Sequence, residues 1–170
     1  MLIVSDSHGL TTELTDILKR HEDVDIALHC GDSELPIDSP YLKGYSVVKG
    51  NCDFQARFLD ENIFEIGGLK IFMTHGHLLD VKRTLMTLQY AAMERGADIV
   101  CFGHSHIAYA EKIKKQLFLN PGSIRLPKKY PTPSYLVLDW EKTSEVHVTF
   151  YDVHGTEITD FPYVKQINLD

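Results

Sequence analysis

Five short apolar runs in this chain each break off at a glycine-bearing turn that carries Asp, His or Asn, and no other feature limits the fold as much. Leu2–Val4 runs into Ser5-Asp6-Ser7-His8-Gly9, and Val24–His29 into Cys30-Gly31-Asp32. Tyr45–Lys49 runs into Gly50-Asn51-Cys52-Asp53, Leu69–Thr74 into His75-Gly76-His77, and Asp98–Phe102 into Gly103-His104-Ser105-His106. Short β-branched runs bounded by turn residues read as buried strands. In α/β sheets, ligands gather beyond the carboxyl ends of the strands, and glycine there permits tight turns and close backbone approach. The five endings can therefore meet on one rim.

The remaining pattern supplies what such strands pack against. Leu14, Ile17 and Leu18 stand at i, i+3, i+4 within Thr11 to His21, the spacing of one helix face. Asp80 to Arg95 predicts the longer helix, with Leu85, Leu88 and Ala92 on its apolar face and Gly96 as its stop. Asn62–Ile66 and Leu69–Thr74 flank Gly67-Gly68 as a two-residue hairpin. Pro36 and Pro40 mark a loop with room for a short helical turn. Ile107–Ile113, Gln116–Leu119, Ser134–Trp140 and Glu145–Val153 add later strands, mostly antiparallel. So many strands overfill one sheet at 170 residues. The expectation is a layered α/β fold, two packed sheets with helices on the outer faces, in a single domain over residues 1–170. The length falls short of the roughly 200–250 residues of a TIM barrel. A composition of 44% hydrophobic and 24% charged residues excludes a disordered chain.

His, Asp and Asn offer nitrogen and oxygen ligands of intermediate hardness. They suit Mn²⁺, Fe²⁺, Zn²⁺ or Ni²⁺ better than the all-oxygen cages of Mg²⁺ and Ca²⁺. Asp6 and His8 are two residues apart, as are His104 and His106, so on an extended turn both members of a pair can face one side. Asp6, His8, Asp32, Asn51, His75, His104 and His106 exceed the ligands of one four-coordinate ion and suit two ions that share a carboxylate. Taken singly, each has a plainer role: Asp32 could cap a helix, and Asn51 could fill a turn. Their recurrence in order, one strand end after another, is what points to metal. His21, His147 and His154 fall outside the pattern, and His29 lies inside its strand, so these read as structural.

Six blocks are similar to those of the calcineurin-like metallophosphoesterase superfamily, and above all to its small bacterial and archaeal phosphodiesterase subgroup, the YfcE type. They are Ser5–Gly9, Cys30–Asp32, Gly50–Asp53, Thr74–His77, Gly103–His106 and Asn120-Pro121-Gly122-Ser123. The resemblance covers nearly the whole chain. It implies a four-layer α/β/β/α sandwich and a dinuclear centre in which Asp6, His8 and His106 hold one ion, Asn51, His75 and His104 the other, and Asp32 joins them. It also implies a metal-dependent phosphodiesterase in which a hydroxide between two divalent ions, Mn²⁺ first among them, attacks small phosphodiesters. Many members of the superfamily carry a His after the motif Asn as general acid. Here that residue is Cys52, as in the YfcE-type subgroup, and a thiol with an ordinary pKa near 8.5 is a poor substitute. His77, two residues beyond His75, is then the candidate proton donor, with Asp53 behind it. The superfamily also contains a retromer-type scaffold that binds partner proteins and whose animal form lacks part of the ligand set. All seven positions are filled here, which favours the enzyme.

Lys plus Arg is 17 against 24 Asp plus Glu, a net charge of −7, so no broad basic surface for nucleic acid is expected. Lys128 and Lys129 read as a small solvated loop. Two bound dications would outweigh Asp6 and Asp32 and leave a pit attractive to a small phosphate ester. No run approaches the roughly 20 apolar residues of a membrane span, and no basic segment opens a secretory signal. Cys30, Cys52 and Cys101 are dispersed and form no CxxC pair, in keeping with free thiols in a reducing cytoplasm. A homo-oligomer stays open.

Overall fold

The computed structural model describes residues 1–54 and 57–169. Its elements in chain order are β1 (Leu2–Val4), α1 (Thr12–Arg20), β2 (Ala27–His29), β3 (Tyr45–Val47), β4 (Glu61–Ile66), β5 (Leu69–Thr74), α2 (Met86–Glu94), β6 (Ile99–Cys101), β7 (Ala108–Ile113), β8 (Gln116–Pro121), β9 (Ser134–Lys142), β10 (Glu145–Asp152) and β11 (Gln166–Asn168). They form two mixed sheets, one ordered β11-β10-β9-β1-β2-β3 and the other β4-β5-β6-β8-β7. β1, β2 and β3 run parallel in the first sheet, and β5, β6 and β8 run parallel in the second.

The period of two along each strand sorts side chains into layers. Ile3, Ile71, Met73, Ile99, Cys101, Leu117, Leu119, Leu136 and Leu138 fill the space between the sheets. Their neighbours point outward. Leu2, Val4 and Ala27 meet Leu14 and Ile17 of α1. Phe72, Val100 and Phe118 meet Leu88 and Ala92 of α2. Both faces of each central strand are thus buried, and the layers run α/β/β/α.

Gly67 and Gly68 both take positive φ, 54° and 80°, and close the hairpin between Ile66 and Leu69. That is the backbone a two-residue turn needs to follow the strand twist. The second helix is shorter than its periodicity predicts. His77–Leu79 forms a 3₁₀ turn that ends at Asp80, where φ is 53°, and the α-helix starts only at Met86. Asp80 pairs with Arg83 at 2.7 Å inside this entry segment, so the acidic start of the expected helix serves the turn instead. Gly96, with φ of 62°, ends α2 as its position predicts. The Pro36–Pro40 loop carries a short 3₁₀ turn at Pro40–Leu42. β11, with no counterpart in the sequence reading, pairs antiparallel with β10. Among the described residues no helix is long and apolar enough to cross a membrane. All three cysteines are free.

Candidate metal centre

The carboxyl ends of β1, β2, β3, β5 and β6 lie side by side across the two sheets, and the loops that follow bring their polar residues together. His106 Nε2 stands 3.1 Å from Asp6 Oδ1 and 3.3 Å from His8 Nε2. His75 Nε2 stands 3.4 Å from Asp32 Oδ2, 3.3 Å from Asn51 Oδ1 and 4.0 Å from Asp6 Oδ1. Two groups could each hold a metal ion, Asp6 with His8 and His106, and Asp32 with His75 and His104; within each, the ligand atoms lie within 4.8 Å of one another. A third such group joins His8, Asp32 and Cys52, so Asp32 belongs to groups on both sides. All seven expected ligands therefore fall in one cluster. Asp6, His8, Asp32, His75 and His106 are buried in it, His104 is half-buried, and Asn51 is exposed.

Hydrogen bonds at the far nitrogens fix which way the imidazoles present themselves. His75 Nδ1 lies 2.6 Å from the Cys30 carbonyl, and His106 Nδ1 lies 2.7 Å from the Leu126 carbonyl. A carbonyl only accepts, so both Nδ1 atoms carry the hydrogen and both neutral rings point an Nε2 lone pair inward. His8 Nδ1 meets Glu34 Oε1 at 2.6 Å, with the same result. Asp6 is held through Oδ2 by the Ser5 hydroxyl at 2.6 Å and the His104 N–H at 3.1 Å. Its Oδ1 is buried with no hydrogen-bond donor. Lone pairs of His8, His106 and Asp6 thus converge with no proton among them, an arrangement a divalent cation relieves. The donor set fits such an ion.

The carboxylates and imidazoles of the cluster shift one another's pKa values. Burial pushes the Asp6 carboxyl up, but His106 and His75 outweigh it and leave its pKa lowered. Burial also opposes ionisation of Asp32, yet His75 and the Cys52 N–H hold it well below the usual carboxylate range. Burial opposes charge on His75 and is overcome by Asp32 and Asp6, which raise its pKa. His104 goes the other way, pushed down to about 4 by burial and by the charge of His75. The Cys52 thiol is pushed up to about 12 by burial and by Asp32.

The backbone is bent to make this cluster. Asp6, His8, Asp32, His104 and His106 all take positive φ, between 45° and 65°. Left-handed non-glycine residues cost about 1–3 kcal/mol each and gather at functional sites. Gly50 and Gly103 are needed for another reason. A Cβ on Gly50 would fall inside contact distance of Asp32 Oδ1 and its N–H, and one on Gly103 would meet Ser5 Oγ and stand 2.8 Å from Asp6 Oδ2.

The two candidate proton donors separate. His77 lies over the cluster, its ring 5.3 Å from that of His75 and 6.1 Å from that of His104. Its Nδ1 is buried without a partner. Burial, with the charge of His75, lowers the His77 pKa, and an anion bound beside it would act in the opposite sense. Asp53 is 2% exposed and fully engaged: Oδ2 accepts the N–H groups of Asp32 and Gly50, both at 2.8 Å, and Oδ1 accepts the Glu34 N–H at 2.7 Å and the Ser33 hydroxyl at 3.0 Å. It ties the loop after β2 to the loop after β3 and has no face left for a substrate.

Other supports escaped the sequence reading. Glu34 is one acid among 24, with nothing to single it out. Asn120 and Ser123 belong to a block noted above only for its resemblance. Asn120 Nδ2 donates to the Gly103 carbonyl at 2.9 Å, and Ser123 Oγ donates to the Asp6 carbonyl at 2.7 Å. The Arg125 guanidinium donates to the His8 carbonyl. His29, fully buried, meets Ser7 Oγ at 2.8 Å and accepts the Gly31 N–H at 3.2 Å.

Residues 1–143 match the calcineurin-like phosphoesterase superfamily domain, and the chain belongs to that metallophosphoesterase family. It is 53% identical over 161 residues to probable metallophosphoesterase YsnB of Bacillus subtilis strain 168, covering 94% of this chain and 95% of that protein. Over 103 residues it is 28% identical to phosphodiesterase YfcE of Escherichia coli K12, covering 54% and 50% of the two chains. A crystal structure from Streptococcus pneumoniae TIGR4, described as a predicted phosphoesterase, superposes with a TM-score of 0.91 at 36% identity, over 98% of this chain and 95% of that one. Vps29 of Entamoeba histolytica complexed with zinc shares the fold at a TM-score of 0.74 and 21% identity, over 99% and 98%.

Proposed function

We propose that the protein is a metal-dependent phosphodiesterase that hydrolyses small phosphodiesters at a dinuclear centre. The observation that carries this reading is the inward aim of the His8, His75 and His106 lone pairs onto Asp6 and Asp32. Asp6, His8 and His106 would hold one ion, Asn51, His75 and His104 the other, with Asp32 shared. When bound, two such ions supply charge for phosphoryl oxygens and an activated water. The mixed nitrogen and oxygen set suits Mn²⁺, Fe²⁺, Zn²⁺ or Ni²⁺, and the family resemblance puts Mn²⁺ first among them.

The chain's own residues do the rest. Glu34 and the carbonyls of Cys30 and Leu126 keep the three imidazoles in the tautomer that binds metal. Asp53 sets the spacing between Asp32 and Asn51. Attack on phosphorus forms one P–O bond and breaks another, and the departing oxygen takes a proton. His77 is the donor that fits, through Nε2, because its Nδ1 is enclosed.

The test is turnover of bis(p-nitrophenyl) phosphate with Mn²⁺, followed with and without chelator, alongside metal content by mass spectrometry. Two equivalents of metal, loss of activity on chelation and loss in Asp32→Ala and His75→Ala are expected. Full activity of either variant in the presence of chelator would overturn the reading. Absence of turnover with every metal would favour a protein-binding scaffold of the retromer type on the same fold.

A further inference from the structure

Both signs of charge border the cluster. The Lys128 N–H donates to the His106 carbonyl at 2.8 Å, and Arg125 reaches the carbonyl of His8. The loops after β2 and β3 line a trough of about 580 Å³ whose walls include Glu34, Pro36, Ile37, Asp38, Cys52 and Phe54. That volume lies within the range of small-molecule sites, roughly 300–1,000 Å³. The trough adjoins the cluster, because Cys52 and Glu34 belong to both: Cys52 is grouped with His8 and Asp32, and Glu34 is bonded to His8.

Its lining is selective. Phe54 is 85% exposed and Ile37 56%, large apolar side chains left facing the open trough. Exposed apolar surface gathered beside a polar cluster marks a binding site. Phe54 offers a flat face for stacking, and the carboxylates of Glu34 and Asp38 repel a second anion while accepting N–H and O–H groups. His77 lines no part of this trough and lies instead over His75 and His104. With His77 as the proton donor, the leaving group departs on that side and not into the trough.

We infer that the trough between residues 34–38 and 52–54 seats the ester arm that remains on phosphorus, and that it selects a flat arm free of negative charge, an aryl group or a nucleoside without a further phosphate. This rests on the phosphodiesterase reading above and narrows its substrate class. A continuing nucleic-acid strand would bring its next phosphate against Glu34 and Asp38, so it is disfavoured.

Two diesters with the same leaving group isolate the retained arm: thymidine 5′-(p-nitrophenyl phosphate) and methyl p-nitrophenyl phosphate, both followed by p-nitrophenolate release. The thymidine ester should be preferred in kcat/KM by about 10–200-fold, the scale of hydrophobic-pocket discrimination. In Phe54→Ala that ratio should collapse by about tenfold, and Phe54→Trp should restore it. An unchanged ratio in Phe54→Ala would overturn the inference. Phe54 is so exposed that the substitution leaves the core untouched. If the wild-type protein turns over neither ester, the phosphodiesterase reading fails separately, and calorimetry with thymidine 5′-monophosphate still decides the trough. Binding weakened about tenfold by Phe54→Ala would support it. Equal binding by both proteins, or none by either, would refute it.

Discussion

Replacing Asp53 by Asn tests the claim that this carboxylate is a clamp between loops. The side chain keeps its shape, but one oxygen becomes an NH2 group that can no longer accept. Four donors converge on the carboxylate, two on each oxygen. Turned one way, the amide nitrogen faces the N–H groups of Asp32 and Gly50. Turned the other, it faces the Glu34 N–H and the Ser33 hydroxyl. The second is better, because a hydroxyl can rotate to accept. One backbone N–H then goes unsatisfied, at about 1–3 kcal/mol, and the two bonds that remain lose their charge assistance, about 1 kcal/mol each. The sum is about 3–5 kcal/mol. With an m-value near 2 kcal/mol per molar urea, the unfolding midpoint should fall by roughly 2 M. Urea denaturation followed by circular dichroism on metal-free protein measures this without interference from ligand binding. A midpoint within about 0.5 M of wild type would refute the clamp. If that variant also lost turnover chiefly on poor leaving groups, Asp53 would be a proton donor after all.

Chelation should lower the melting temperature as well as the activity. An ion present at about 100 times its Kd contributes about 2.7 kcal/mol, so a differential scanning fluorimetry shift of about 5–10 °C, reversed by Mn²⁺, is expected. His29 should weaken the fold in acid. Its burial, only partly offset by Asp53, pushes its pKa down to about 4. The unfolded chain therefore takes up a proton first, near pH 6.5, and stability is lost as pH falls from about 6.5 to 4, by about 3 kcal/mol. Denaturation at a series of pH values should show that slope, and His29→Gln should flatten it. Gly103→Ala should displace Asp6, with a loss of metal affinity of at least tenfold by calorimetry; unaltered affinity would mean that the close approach does not matter.

What the chain made readable was chemistry tied to punctuation. Each strand that ends at Asp6, Asp32, Asn51, His75 or His104 is short, apolar and followed by glycine, so both its existence and its end were legible. The layer order followed from alternation, since Ile3 and Leu2 must face opposite ways. Less legible was anything decided by backbone carbonyls. Cys30 and Leu126 orient His75 and His106 through main-chain oxygens, which every residue has, so no side-chain pattern announces them. Glu34 acts only because the left-handed turn at Asp32 and Glu34 carries it back to His8. α2 starts later than its periodicity predicts because Asp80 and Arg83 look like a helical first turn yet serve a tight loop. β11 leaves little trace in the sequence because Gln166–Asn168 has a single buried residue, Ile167, and takes its strand form from pairing with β10.

The left-handed backbone at His8, His104 and His106 bears on how any mutational scan of this protein must be interpreted. Alanine there removes an imidazole and also installs a residue that resists the required φ, so its effect mixes a lost ligand with a refolded loop. Asparagine tolerates that conformation far better. A loss of metal shared by His→Asn and His→Ala belongs to the side chain, whereas a loss of stability confined to alanine belongs to the main chain. The same preference narrows what drift can leave behind: a lineage that lost the metal would be expected to keep Asn, Asp or Gly at these three positions, and the loops could outlast the chemistry they were shaped to hold.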